Sequence, residues 1–325
     1  MTDVRRKQSA PQLVSIGDCL VTLTPTRRAP LVFAGEYRRM LAGAELNVCI
    51  GCARMQISAG LITNVGDDPL GEYILRQLRA ENVDLSQTSR VKLPTALLFK
   101  EQLPGGDFRV YYHRNNAAGG AIACGEDMEK YVRDARIFLY TGIFPALSPA
   151  NRRTLSRLLS AAKAGGASRA FDPNIRMKLL RTPARARRLL RPLAAECDLI
   201  LLGESEASML FGTADPDRLF ACLSAEGIRH AVLKRGDRGA YAIRDGVYEE
   251  IPARPVAEVV DACGAGDAFN AGYLCALLRR RPLKECLRLA AFCGARAVSS
   301  ASDNESLPFL EEAEADAAGT TEAAR

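Results

Sequence analysis

The sequence predicts an α/β fold: a doubly wound, mostly parallel sheet flanked by helices, with a small β lid. Three observations carry this expectation. Short apolar runs alternate with stretches of helical period along most of the chain. Near residue 100 the alternation is interrupted by two β-rich runs around a turn. Close to the C-terminal end, a loop of small residues opens a long apolar helix. Alternating strand and helix patterns build βαβ units, whose parallel strands are covered by helices on both faces. A length of 325 residues leaves room for one large domain or two smaller ones. A hydrophobic share of 48% with 25% charged residues excludes a wholly disordered, collagen-like or coiled-coil chain.

Residues 14–17 are a short apolar run closed by Gly17, the usual opening of such a sheet. Residues 18–42 lack a helical period and contain Pro25 and Pro30, which predicts short strands and turns. After Gly43, the apolar Leu46, Ile50 and Ala53 suit a packed helix over 44–55. Residues 60–65 read as a strand. Asp67-Asp68-Pro69 starts a helix whose Ile74, Leu75 and Leu78 share a face, and Asn82 ends it. Residues 95–103 and 108–112, separated by Pro104-Gly105-Gly106-Asp107, form a hairpin. The alternation then resumes with helix 126–134, strand 137–140, helix 149–164, strand 170–172, helix 183–195 and strand 199–202. Helices 204–211 and 216–226, strand 231–233, a hairpin-like stretch 239–251 and long helices 265–280 and 283–299 complete it.

The expected organisation is a disordered arm over 1–12, one domain over 13–310 with a lid from about 18–42 and 95–114, and a disordered acidic tail over 311–325. The tail is too poor in large apolar residues to fold alone. Arg5, Arg6 and Lys7 are not followed by the apolar block of a secretory signal, and no run approaches the ~20 apolar residues of a membrane span. Ten cysteines in a chain of this length are too sparse for a disulfide scaffold, so a reducing, cytoplasmic setting is expected. The formal charge of +6 allows an anionic small-molecule ligand and does not require nucleic acid. The arginines of 181–191 follow a helical period and read as a solvated face.

The most informative segment runs from Val259 to Gly272. Small residues bracket Asp267 as a helix begins, so backbone N–H groups can converge on an anion. Asp267 then either takes a proton from a substrate hydroxyl beside a transferring phosphoryl group, or caps the helix within a glycine-rich turn. No Gly-x-x-x-x-Gly-Lys-Ser/Thr occurs, and Phe269 stands where a dinucleotide fingerprint needs its third glycine. His113 and His230 are the only histidines, which excludes three-His metal chemistry. Cys49 and Cys52 have no second pair to complete a metal site and read as helix core.

The stretch from Asp261 to Asp267, with Phe269 and Gly272, resembles the C-terminal signature of the ribokinase-like (PfkB-type) carbohydrate kinases. Gly43-Ala44-Glu45-Leu46-Asn47-Val48 is similar to their N-terminal signature, and Gly66-Asp67-Asp68-Pro69-Leu70-Gly71 to another recurrent stretch. The resemblance spans residues 13–310 and implies a ribokinase-like kinase domain that uses ATP and Mg²⁺, with the β lid closing over a sugar. It makes Asp267 the base and Gly264, Ala265 and Gly266 the anion hole. Glu206 would hold Mg²⁺ through water, and Lys234, Gly236 and Gly239 would form the nucleotide-side turn. Asp18, Gly43 and Asn47 fall at sugar-contacting places. In relatives a monovalent cation such as K⁺ binds near the anion hole, and Asp261 is placed for it.

Substrate choice rests on further likenesses. Arg109-Val110-Tyr111-Tyr112-His113-Arg114, Asp172-Pro173-Asn174-Ile175-Arg176 and Ser302-Asp303-Asn304-Glu305-Ser306-Leu307-Pro308 resemble 2-keto-3-deoxygluconate kinases. Tyr112, Arg114 and Arg176 would then recognise a sugar acid, since guanidinium groups bind carboxylates in a bidentate manner; the alternative for both arginines is an ordinary surface role. Gly203 stands where the family has Asn, Ala262-Cys263 replace a Thr/Ser pair, Ser302 replaces Gly, and His113 separates Tyr112 from Arg114. Cys263 is either a thiolate stabilised by backbone donors or a plain small replacement. The resemblance implies transfer of the γ-phosphoryl group of ATP to a terminal hydroxyl of a sugar acid. A fructokinase or other neutral-sugar kinase, or a catalytically silent sugar-binding homologue, is the alternative. Expected partners are the sugar and ATP, with no nucleic acid and no membrane; exposed lid edges are open to a second subunit as a homodimer.

Overall fold

In the computed structural model, which describes residues 10–102 and 108–319, the predicted alternation becomes two sheets and their covering helices. The strands are β1 (Leu13–Ile16), β2 (Leu20–Pro25), β3 (Tyr37–Ala42), β4 (Ala59–Gly66), β5 (Thr88–Val91), β6 (Ala96–Gln102), β7 (Phe108–His113), β8 (Ile137–Thr141), β9 (Ser168–Asp172), β10 (Leu199–Gly203), β11 (His230–Lys234), β12 (Ala240–Arg244) and β13 (Val247–Ile251). The helices are α1 (Ala44–Arg54), α2 (Pro69–Ala80), α3 (Glu126–Arg133), α4 (Ile143–Leu147), α5 (Pro149–Gly165), α6 (Met177–Leu180), α7 (Pro183–Ala194), α8 (Glu204–Phe211), α9 (Pro216–Ala225), α10 (Ala265–Leu278), α11 (Leu283–Val298) and α12 (Leu310–Ala317). Four of these helices start alike: Asp68, Ser148, Thr182 and Asp215 each cap a backbone N–H with a side-chain oxygen, and proline follows where no N–H is needed.

The large sheet has the order β13-β12-β11-β10-β9-β8-β1-β4-β5, parallel except where β12 pairs with β11 and β13. Strands buried on both faces send alternate side chains into two apolar layers. Leu13, Leu61, Leu139, Leu201 and Val232 meet α1, α10 and α11, whereas Val14, Ile62, Phe138, Ile200 and Leu233 meet α5, α7 and α9. From β1 the chain winds outward through β4 to β5, then returns to β8 on the other side of β1. Such a reversal opens a crevice beyond the carboxyl ends of the central strands, where ligands bind in open α/β sheets.

The lid is a second sheet of order β3-β2-β6-β7, closed on its inner face by Leu20, Ala42, Ala96, Leu98 and Ala117. The expected turn at 104–107 lies outside the described residues, as do 1–9 and 320–325 of the expected arm and tail. Both disordered ends require correction where they are described. Gln12 is tied to the sheet, its carbonyl accepting the N–H groups of Arg136 and Ile137. The tail begins as helix α12, held by Ala313 in the core, by an Arg296–Glu312 ion pair at 2.8 Å and by an Arg254–Asp316 pair. Two charged partners supplied by the body of the protein offset the tail's low apolar content. Among the described residues no helix is long and apolar enough to cross a membrane.

Candidate active site

The carboxyl ends of the parallel strands bring chemistry to the crevice. Asp18 follows β1, Thr141 ends β8, Asp172 ends β9, Glu206 lies one turn into the helix after β10, and Lys234 ends β11. Helix α10 points its N-terminus at the same place and carries Asp267 in its first turn.

Asp267 does not cap its helix. Gly264 occupies the N-cap at φ +78, a left-handed conformation that favours glycine, and no side chain caps there. Instead Asn47 Nδ2 donates to Asp267 Oδ2 at 2.9 Å, and Asn174 Nδ2 lies 3.5 Å from Oδ1. Burial pushes the Asp267 carboxyl up to about 6, against the stabilising Asn47 bond and the Arg176 charge. A carboxylate so placed is largely ionised at neutral pH and still basic enough to accept a proton. Asn47, expected at the sugar, also orients Asp267: its amide oxygen accepts from Asn304 at 3.2 Å, which turns its Nδ2 to the carboxylate. Gly43 caps α1 with its backbone against the Asp18 carbonyl.

Where the sequence places the nucleotide, Ala265 and Gly266 border an apolar cavity of about 770 Å³, walled by Val256, Phe269, Ala291 and Val298 and reached by Lys234, Gly236 and Gly239. Its apolar walls suit a base, and the α10 N-terminus at one end suits phosphate. Lys234 Nζ bonds Asp172 at 3.1 Å and Asn270 at 3.2 Å, so its charge sits beside Gly266. At Gly239 (φ +91) a side chain would strike the Ile251 carbonyl, so that glycine serves the β12–β13 hairpin, whereas Gly236 opens freely. Glu206 stands in the first turn of α8, facing the loop after β9. Its two oxygens accept the N–H groups of Gly203 and Ile175, both at 2.8 Å, which locks α8 to the loop after β9 and leaves only secondary lone pairs for a water shell. Among the described residues no three His, Cys, Asp or Glu side chains gather to hold an ion. Mg²⁺, which keeps its waters and relies on substrate phosphates, requires no such cluster.

Toward the lid, where the sequence places the sugar, Asp18, Glu45 and Arg114 are buried. Arg114 lies with its guanidinium carbon 4.3 Å from the centre of the Tyr112 ring and its Nη1 3.6 Å from Asp18 Oδ2, and its Nε and Nη2 are buried without a hydrogen bond. Strand alternation turns the intervening His113 away, edge-on to Phe99, so its insertion leaves Tyr112 and Arg114 together. Burial raises Asp18 to about 6 and Glu45 to about 8, and each has one buried oxygen without a hydrogen bond. Thr141 donates to the other Glu45 oxygen. Arg176 is exposed, feels the charges of Asp267 and Asp172, and forms no side-chain ion pair among the described residues.

A further cluster escaped the sequence reading. Lys100, from the lid, is paired with Asp261 and lies 3.7 Å from Asp303. Cys263 is exposed at the surface, and its thiol is shifted up rather than down, partial desolvation outweighing the Lys100 charge, which speaks for the plain small replacement. Glu45, Asn174, Lys100 and Asp303 were not singled out as site residues because they stand in patterns that also describe a helix start, a turn and a strand. For Lys100 the available signal was a lysine on the inward face of β6, aligned with Ala96 and Leu98.

Residues 10–310 match the model of the pfkB family carbohydrate kinases. The chain is 31% identical over 301 residues to a 2-dehydro-3-deoxygluconokinase of Bacillus subtilis, covering 92% of this chain and 93% of that protein. A protein of the same description from Thermoproteus tenax is 33% identical, with 93% of each chain covered. A fructokinase of Klebsiella pneumoniae is 30% identical over 91% of this chain and 96% of its own. Among solved structures, a ribokinase-type protein of Escherichia coli in complex with ATP and Mg²⁺ superposes with a TM-score of 0.87 at 26% identity, covering 95% and 99% of the two chains.

Proposed function

Because the chain belongs to the pfkB family of carbohydrate kinases, we propose that it phosphorylates a terminal hydroxyl of a 2-keto-3-deoxy sugar acid, with Asp267 as the base. The observation that supports this reading is the position of Asp267 between an apolar cavity ending at a helix N-terminus and a lid face armed with Arg114 and Tyr112. Asn47 holds Oδ2 of the carboxylate, which leaves Oδ1 with only the long 3.5 Å contact to Asn174. That oxygen takes the hydroxyl proton as the alkoxide oxygen bonds to the γ-phosphorus and the bond to the β-phosphate oxygen breaks, releasing ADP. The N–H groups at the start of α10 meet the charge on the transferring group, and Lys234 adds a positive charge beside them. Glu206 would help hold Mg²⁺ through water when ATP is bound, and the ion would supply charge neutralisation for the phosphates.

Arg176 is free to pair with a substrate carboxylate, while the buried donors of Arg114 offer further contacts. One observation favours a neutral sugar instead: Asp18 already faces Arg114 and offsets its charge. A coupled ADP-release assay over 2-keto-3-deoxy sugar acids, ketohexoses and nucleosides decides. The expected result is at least tenfold higher kcat/KM for a sugar acid. A ketohexose preferred by the same margin selects the fructokinase reading, and no ADP above background with any acceptor leaves a silent sugar-binding protein.

A further inference from the structure

Lys100 sits on the inward face of β6, yet its side chain ends in a buried ion pair rather than in the lid's apolar contacts. Its ammonium is hydrogen-bonded to Asp261, with the two side chains only 2% and 3% exposed, and Asp303 lies 3.7 Å away. Asp261 also accepts the Cys263 N–H at 2.9 Å, and its own N–H donates to Val298. The Asp303 backbone packs against Gly264 so closely that a Cβ there would stand 2.8 Å from the Asp303 carbonyl. One ammonium therefore ties together the two loops that shape the N-terminus of α10.

We propose that the Lys100 ammonium is the resident monovalent cation of this loop, and that Asp261 takes no potassium ion. The inference rests on the kinase reading, in which the 261–266 loop must hold its anion-binding shape, but not on which sugar is used. The resemblance in sequence offered Asp261 to K⁺, and the residues present do not fit it. An ammonium and a potassium ion have the same charge and similar size, so either can neutralise the carboxylate. Asp261 already gives Oδ2 to the ammonium and Oδ1 to the Cys263 N–H, so a potassium ion would have to displace one of them and stand against the ammonium in low-dielectric surroundings, with Asp303 the one further carboxylate at hand. Lys100 also belongs to the lid, so the charge that organises the anion hole arrives with the element that covers the sugar. Lys100 acts through the loop and is a positioning residue.

The test uses the full chain in buffers of equal ionic strength containing either KCl or choline chloride. Melting temperature is read with and without a non-hydrolysable ATP analogue and Mg²⁺, and initial rates are read with the preferred sugar. The expected result is equal melting within about 1 °C and equal rates within about twofold, because a ligand that does not bind the native state does not stabilise it. A rise of several degrees in KCl, or a rate about tenfold higher there, overturns the proposal. In Lys100→Met the cation site is vacated. Its rate in choline is expected roughly 10²-fold below the parent, with KCl raising both melting and rate, the latter at least tenfold. A folded Lys100→Met that ignores KCl, or that matches the parent in choline, also overturns it. Should that variant not fold, Lys100→Arg must stay indifferent to KCl, and the salt response of the unaltered chain decides. Failure of the kinase reading looks different: no acceptor yields ADP in either salt, while the melting data still decide the role of Lys100.

Discussion

The two halves of the crevice are built on opposite principles. The half read as the nucleotide's is mostly backbone and apolar wall: glycines, alanines and a helix N-terminus, with Lys234, Asp237 and Arg254 the charged residues that line it. The sugar half is mostly side chain: Asp18, Glu45 and Arg114 are buried, and each keeps polar atoms without a hydrogen bond. Backbone donors recognise what every kinase substrate pair shares, a phosphate chain, and cost little to leave open to water. Buried, unsatisfied side chains are expensive until a ligand meets them, and they single out one ligand. Generality and selectivity are thereby separated in space, with Asp267 on the seam.

The seam should show the largest effect. Asp267→Asn keeps the shape and the neighbourhood of Asn47 but removes the base, so kcat is expected to fall by roughly 10²–10⁴-fold with nucleotide binding retained. The parent's rate should rise with pH around 6, since the carboxyl must lose its proton to act. Steady-state kinetics from pH 5 to 8 with calorimetric ATP titration check both; a variant at the parental rate removes Asp267 from the chemistry.

On the sugar half, Arg114 and Arg176 separate a built-in charge from an available one. Arg114→Ala leaves Asp18 buried without its partner, and a loss of about 3 kcal/mol in unfolding free energy is expected at pH 8. The loss should shrink at pH 5, where Asp18, raised to about 6, takes up a proton. Arg176→Ala is expected to leave unfolding nearly unchanged, because the side chain is exposed, while raising KM for a sugar acid roughly 10- to 100-fold and for a neutral ketose much less. Denaturant titrations and KM values for both sugars test the pair. Equal KM changes would end the case for carboxylate recognition by Arg176.

The same division explains what could be read from the sequence. The nucleotide half was legible because its physics lies in local composition: a run of small residues around Asp267 has few uses other than close backbone approach. The large sheet was legible for a similar reason, since strands such as 137–140 are apolar on both faces and the helices between them carry their own caps. The sugar half was legible only through a family likeness, and in part. Lys100 reaches Asp261 across 161 residues, and Asn304 reaches Asn47 across 257. No local pattern reports such partners. Glu206 shows the converse: its position matches the family, but no local pattern reports that its two oxygens also accept the N–H groups of Gly203, at the end of β10, and of Ile175, in the loop after β9. The tail was misjudged because its stability comes from Arg254 and Arg296, which belong to other elements.

The smallest effect tests whether the buried carboxyls of the sugar half are held neutral until they are needed. Glu45 is the clearest case, with one oxygen bonded by Thr141, the other without a hydrogen bond and lying where any side chain at Gly17 would stand. Burial raises it to about 8 from the usual carboxylate range. Between about pH 4.5 and 8 the folded chain therefore holds a proton that the unfolded chain has released, so stability is present at low pH and is lost as pH rises through 8. Glu45→Gln mimics the protonated form and should match the parent at pH 6. By pH 9 it should be the more stable protein by on the order of 1–2 kcal/mol, because the parent must then carry an unsatisfied buried charge. Urea midpoints at pH 6, 7.5 and 9 measure the divergence. If parent and variant run parallel across that range, Glu45 is already ionised in the folded chain, and the sugar half is more open to water than its buried groups indicate.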